Sequence, residues 1–123
     1  MFVSGAGTEV GKTFVTTMLI NEIRKTQRPV VGLKPVISGF SDDDVGRSDT
    51  GLILEAMGLE ITLANIEKVS PWRFRAPIAP MMAATLEGRE LDIYEIAAFC
   101  QMNTAPNCIK IIEGVGGVMV PLT

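Results

Sequence analysis

The chain opens on a short apolar run, Met1-Phe2-Val3-Ser4, that breaks at Gly5 into a glycine-rich loop over residues 5–11. From Thr13 the spacing becomes helical, with Val15, Met18, Leu19 and Ile23 on one face, and it fades in the polar stretch 24–28 before Pro29. Val30-Val31-Gly32-Leu33 is apolar without alternation, as in a strand buried on both faces of a parallel sheet. Strand, loop, helix and strand in that order predict a βαβ unit. Residues 35–48 read as a long loop, and a helix is expected from Asp49, with Leu52, Ile53 and Met57 apolar and Gly58 as its stop. Residues 60–80, interrupted at Pro71, Pro77 and Pro80, carry no clear period. A short helix over 80–87 should end at Gly88. Asp92 has the character of an N-cap, with Glu95 completing a capping box and Leu91 facing Ile96 as a staple, for a helix running to about Met102. Residues 107–112 predict a third strand that delivers Glu113 and Gly114 at its C-terminal end. These elements define an α/β fold with a mainly parallel sheet.

With 123 residues, 47% of them hydrophobic, the chain can form one domain with a real core, and disorder is excluded as its main description. Fourteen acidic side chains against eleven basic ones give a net charge of -3, which offers no footprint for nucleic acid or anionic lipid. No apolar run approaches the roughly 18 residues of a membrane helix, and the start lacks the pattern of a secretory signal. A cytoplasmic protein with no nucleic-acid or membrane partner is expected. Histidine is absent, so a Ser-His-Asp triad, a Cys-His pair, a histidine zinc site and a haem on a proximal histidine are all excluded within these residues. Cys100 and Cys108 are too few and wrongly spaced for a redox motif or zinc cage, and are expected as small buried hydrophobes. Chemistry must therefore run on lysines, arginines, carboxylates, hydroxyls, backbone amides or a borrowed metal ion.

Gly5-Ala6-Gly7-Thr8-Glu9-Val10-Gly11-Lys12-Thr13 lies between a strand and a helix, the context a phosphate-binding P-loop needs. There the backbone N–H groups and the helix N-terminus face one concavity, Lys12 reaches the β- and γ-phosphates, and the Thr13 hydroxyl binds Mg2+. One more residue than usual separates Gly5 from Gly11, and Ala6 holds the strict glycine position. A chance Gly-Lys-Thr turn is the alternative, and nucleoside triphosphate binding the better reading. Lys34 ends the second strand on the same sheet edge, where ligands bind in open α/β sheets. It is either a surface lysine before a turn or a second cation that neutralises charge developing at a γ-phosphate. Glu113, ending the apolar third strand, is either a solvated acid or a ligand for Mg2+, a hard ion that prefers oxygen. Asp49 is either a carboxylate near that metal or the N-cap of its helix. Asp42-Asp43-Asp44 reads as a solvated loop, and Trp72 with Arg73 as core or rim packing.

Taken together, residues 5–13, the segment Gly32-Leu33-Lys34-Pro35-Val36-Ile37-Ser38-Gly39 and the ending Glu113-Gly114-Val115-Gly116-Gly117 resemble the dethiobiotin synthetase family, which uses the extended loop spacing. Arg47-Ser48-Asp49 and Phe74-Arg75-Ala76-Pro77-Ile78-Ala79-Pro80 match as well, so the resemblance runs over essentially the whole chain. It implies a three-layer P-loop NTPase fold and an ATP- and Mg2+-dependent ligase. In that family 7,8-diaminononanoate reacts with CO2 or bicarbonate to give a carbamate, the carbamate attacks the γ-phosphate, and the second amine closes the ring to dethiobiotin. Carried over to this sequence, ATP is held by Glu9, Val10, Gly11, Lys12, Thr13 and Phe14 and by Glu113, Gly114, Val115 and Gly116. Mg2+ is held by Thr13, Asp49 and Glu113. The resemblance makes Lys34 and Lys12 the catalytic lysines and Ser38 a substrate contact, in a protein that acts as a homodimer.

Three other readings compete, one of them a nucleotide-binding fragment with no activity of its own. An amidating synthase of the cobyrinic acid type shares the long loop but fits residues 34–39 less well. A dimerising ATPase switch carries a signature lysine five positions before the P-loop lysine, where this chain has Gly7. A third strand central to a parallel sheet, followed by so few residues, also leads to the expectation that residues 1–123 are the N-terminal portion of one P-loop domain. On that expectation, adenine recognition and the substrate carboxylate contacts belong to later segments.

Overall fold

The computed structural model describes residues 2–3, 9–102 and 107–114. Gly5, Ala6, Gly7 and Thr8 of the phosphate loop, and Val115, Gly116 and Gly117 of the last motif, lie outside the described residues, as do the side chains of Glu9 and Val10.

Strand β1 (Phe2–Val3) leads to helix α1 (Glu9–Lys25), which begins four residues before the position expected from periodicity and so includes Gly11 and Lys12. Gln27, at φ 61°, turns the chain before Pro29 and strand β2 (Val30–Leu33). The long loop expected over 35–48 contains a second short strand, β3 (Val36–Ile37), and a 3₁₀ segment (Asp42–Arg47) that carries the three exposed aspartates. Helix α2 (Asp49–Ala56) follows and stops at Gly58, which takes φ 72°. The region without a clear period holds α3 (Leu63–Val69), capped by the Thr62 hydroxyl, and β4 (Trp72–Arg73). Helix α4 (Pro80–Leu86) starts on a proline, as first turns favour, and Gly88 past its end takes φ 68°. Helix α5 (Ile93–Cys100) is capped by Asp92, whose carboxylate accepts from the Tyr94 amide at 2.8 Å. Strand β5 (Ile109–Glu113) ends on the glutamate singled out above.

Strand β5 lies between β1 and β2, and both pairings are parallel. The sheet is three-stranded among the described residues, with β3 and β4 forming a separate parallel pair. Alternation along β5 separates two cores. Ile109 and Ile111 face a cluster built from Ile20 of α1, Ile53 and Leu54 of α2, and Ile66 and Val69 of α3. Ile112 packs instead on a cluster of Phe74, just past β4, with Ala83 and Ala84 of α4 and Ile96 and Cys100 of α5. The sheet is thus the middle of three layers. By the same parity Glu113 shares the face of Ile109 and Ile111, which is the side of α1. Gly32 lets β2 lie close beneath the helices, since a Cβ there would come within 2.6 Å of Ile20 and 2.8 Å of Ile53.

Of the apolar face expected for α1, Leu19 and Ile23 pack against the first core, but the rest of the buried face differs. Val15 and Met18 are exposed, and the buried positions are Lys12, Thr13, Thr16 and Ile20. The polar members of this set sit over the C-terminal edge of the sheet, where charged partners replace apolar contacts. Elsewhere, Trp72 is half-buried and meets Phe99 edge-on at 5.7 Å, and the Arg73 guanidinium lies 5.8 Å from the Phe40 ring. No helix among the described residues is long and apolar enough to cross a membrane.

Candidate functional site

Register brings the site together. Leu33 pairs with Ile112 across β2 and β5, so one residue further Lys34 lies alongside Glu113. The amide of Lys34 donates to the Val69 carbonyl at 3.0 Å, which fixes the strand end against α3. Both side chains are buried, each about 1% exposed. The Lys34 ammonium lies 2.7 Å from Glu113 Oε2 and 3.3 Å from Asp49 Oδ2, with the Gly114 carbonyl at 3.4 Å. A charge at such a depth persists only when paired and hydrogen-bonded, and this one has two carboxylates. Lys34 is therefore no surface lysine, and Glu113 is no solvated acid.

Helix α1 supplies the remaining donors. The Thr13 hydroxyl donates to Glu113 Oε2 at 3.0 Å, and the Thr16 hydroxyl lies 2.8 Å from Glu113 Oε1. Asp49 does not cap its helix: Ser48 does, its hydroxyl accepting from the Gly51 amide at 3.1 Å. Asp49 is left in the first turn of α2, with its carboxylate directed at Lys34. The start of α2 is anchored by a buried hydroxyl pair, Thr50 with Ser70 at 2.7 Å.

The sequence-predicted residues thus divide. Thr13, Lys34, Asp49, Glu113 and the Gly114 carbonyl form one bonded cluster, and Lys12, buried, sits beside Thr13 on α1. The Phe14 side chain is 66% exposed, so only its backbone could face a phosphate. Glu9, Val10 and Gly11 form the first turn of α1. Ser38 is a half-buried residue just past β3, outside the bonded cluster among the described residues. Val115 and Gly116 lie outside the described residues. Thr16 was missed by sequence reasoning, although it stands three positions from Thr13 and four from Lys12, on the same helix face.

The oxygens of Thr13, Asp49 and Glu113 suit a hard divalent cation. No group of three acidic or thiol side chains that could cage a metal occurs among the described residues. Mg2+ needs none, since it is commonly held by one or two carboxylates, water and substrate phosphates.

A helix bearing Lys-Thr in its first turns that follows the first strand of a parallel sheet in sequence, with a lysine and a glutamate at the ends of adjacent strands, defines an α/β P-loop nucleotide-binding protein. The family model described as an AAA domain matches residues 1–123, and the chain belongs to that family. Along its length the chain is homologous to dethiobiotin synthetases. It is 48% identical to the ATP-dependent dethiobiotin synthetase BioD of Methylobacterium nodulans, covering 100% of this chain and 57% of the relative. Identity to the enzymes of the same name from Phenylobacterium zucineum and Legionella pneumophila (strain Lens) is 41% and 38%, each over 98% of this chain and 53% and 54% of the relative. The chain therefore spans about half the length of the curated relatives it matches.

Proposed function

We propose that this chain is the N-terminal, phosphate- and metal-binding portion of an ATP-dependent dethiobiotin synthetase. The observation that carries the reading is the buried Lys34 ammonium, set between Glu113 and Asp49 and beside Thr13 at the sheet edge. The relatives named above are ATP-dependent dethiobiotin synthetases, which supports the same activity for the complete protein.

On this reading the amides of Glu9 to Phe14 and the Lys12 ammonium hold the ATP phosphates, and Glu113 to Gly116 line the nucleotide side of the pocket. Thr13, Asp49 and Glu113 would hold Mg2+, which when bound neutralises phosphate charge. Lys34 stands where a fixed cation can stabilise negative charge on a carbamate and on the γ-phosphate it attacks. Ser38 contacts the diamine substrate. Ring closure needs no protein nucleophile or histidine base, in keeping with a sequence that has no histidine. Acceleration then rests on positioning and charge neutralisation. The complete protein is proposed to work as a cytoplasmic homodimer.

The test is phosphate release by the full-length protein. Release should require ATP, Mg2+, 7,8-diaminononanoate and bicarbonate together, and omission of the diamine should reduce it to background. Turnover independent of the diamine, stimulated by DNA or a membrane, would instead indicate an ATPase switch.

A further inference from the structure

The two oxygens of Glu113 are held differently. Oε2 receives Lys34 and Thr13, the groups already placed in the site, whereas Oε1 lies 2.8 Å from the hydroxyl of Thr16. Thr16 is fully buried, one helical turn beyond Thr13. Its hydroxyl is also 3.0 Å from the Lys12 carbonyl, the ordinary back-bond of a threonine inside a helix. A hydroxyl has a single proton, and both neighbours are acceptors. The carboxylate is nearer and charged, so it is the stronger competitor for that proton.

We infer that Thr16 is a positioning residue for Glu113: by holding Oε1 it stops rotation of the carboxylate and keeps Oε2 turned to Thr13 and Lys34. This rests on the metal and nucleotide reading above. Oxygen ligands depend on neighbours that fix their orientation, and loss of such a neighbour typically weakens metal affinity about 10–100-fold. Thr16 touches neither phosphate nor substrate in this role. Its effect passes through Glu113 alone.

The experiment is an equilibrium titration of the full-length protein with Mn2+ in the presence of a non-hydrolysable ATP analogue, following free Mn2+ by electron paramagnetic resonance. Thr16→Val keeps the shape and removes the hydroxyl. It should raise the Mn2+ dissociation constant about tenfold or more, and Thr16→Ser should restore it. In a Glu113→Gln background Thr16→Val should add little, because the carboxylate it orients is gone. Thr16→Ala is read in the same way if the valine variant folds poorly. An unchanged Mn2+ affinity in a folded Thr16→Val or Thr16→Ala protein overturns the inference. So does an equal effect with and without the Glu113 carboxylate, or loss of the fold in both variants, which would assign Thr16 to stability. Because the titration needs no diamine, absence of diamine-dependent turnover would refute the synthetase reading and leave this result interpretable.

Discussion

Replacing Lys34 with methionine removes the ammonium lying 2.7 Å from Glu113 and 3.3 Å from Asp49, while keeping an unbranched side chain in a site about 1% exposed. Breaking a buried ion pair from one side costs about 3–5 kcal/mol, because the other charge stays behind in a poorly solvating place. Two hydroxyls, from Thr13 and Thr16, still serve Glu113, and the Asp49 side chain is 20% exposed and can be partly solvated. The lower end, about 3 kcal/mol, is therefore expected. In urea, with a slope of about 2 kcal/mol/M, the unfolding midpoint of Lys34→Met should fall by about 1.5 M. Saturating Mg2+ should stabilise this variant more than the wild type, since two carboxylates are left without their cation and a ligand binding only the folded state adds its free energy to stability. The double variant Lys34→Met/Glu113→Gln should recover most of the loss. Turnover should vanish in Lys34→Met, with ATP binding largely kept. A wild-type midpoint for Lys34→Met, or a double variant no more stable than the single one, would refute the account of Glu113 as a charge compensated by Lys34.

Three further outcomes follow from the packing. A Cβ at Gly51 would collide with the Val45 carbonyl, which as backbone cannot swing aside; Gly51→Ala should cost about 2 kcal/mol in urea unfolding and weaken metal binding by shifting Asp49. Thr50→Val leaves the buried Ser70 hydroxyl without its 2.7 Å partner, an expected loss of about 1–3 kcal/mol that Thr50→Val/Ser70→Ala should partly restore. Burial holds the Cys100 thiol above its ordinary value, opposed in smaller measure by the charge of Lys110. The folded state thus keeps that proton more tightly than the unfolded one. This contribution to stability is intact below the ordinary thiol value and is lost as pH rises from there to the raised value. Iodoacetamide with mass spectrometry should therefore label the half-buried Cys108 before the buried Cys100 at mildly alkaline pH, and equal rates would refute it.

Much of the fold was legible because it rests on local signals. The run at 30–33, the glycines at 58 and 88 and the Asp92 cap each act within a few residues, and the structure has an element start or stop at each. Within the stretch 60–80, β4 was not legible because it has two residues and acquires its form only by pairing with β3, some 36 positions away, and α3 is only seven residues long with Thr62 as its one local signal. The buried face of α1 is only half legible for a related reason: Leu19 and Ile23 do pack on the core, whereas Val15 and Met18 do not. Apolar periodicity assumes that buried means apolar, and at this edge the buried residues are Lys12, Thr13 and Thr16.

The sequence by itself determined the class of chemistry. A phosphate-loop pattern, a lysine after one apolar run and a glutamate after another are written locally, and the lack of histidine restricts what they can do. Tertiary structure decided which of the open alternatives held. Parallel pairing of β2 with β5 sets Lys34 beside Glu113, Ser48 takes the cap and leaves Asp49 to Lys34, and the helical turn from Thr13 to Thr16 brings a second hydroxyl to the same carboxylate. The Ser48 cap is local, but the contacts of Lys34 with Glu113 and Asp49 and of Thr16 with Glu113 join residues far apart in the chain and have no local signature. Their charges are held in place by burial, which exists only once the sheet and helices have packed.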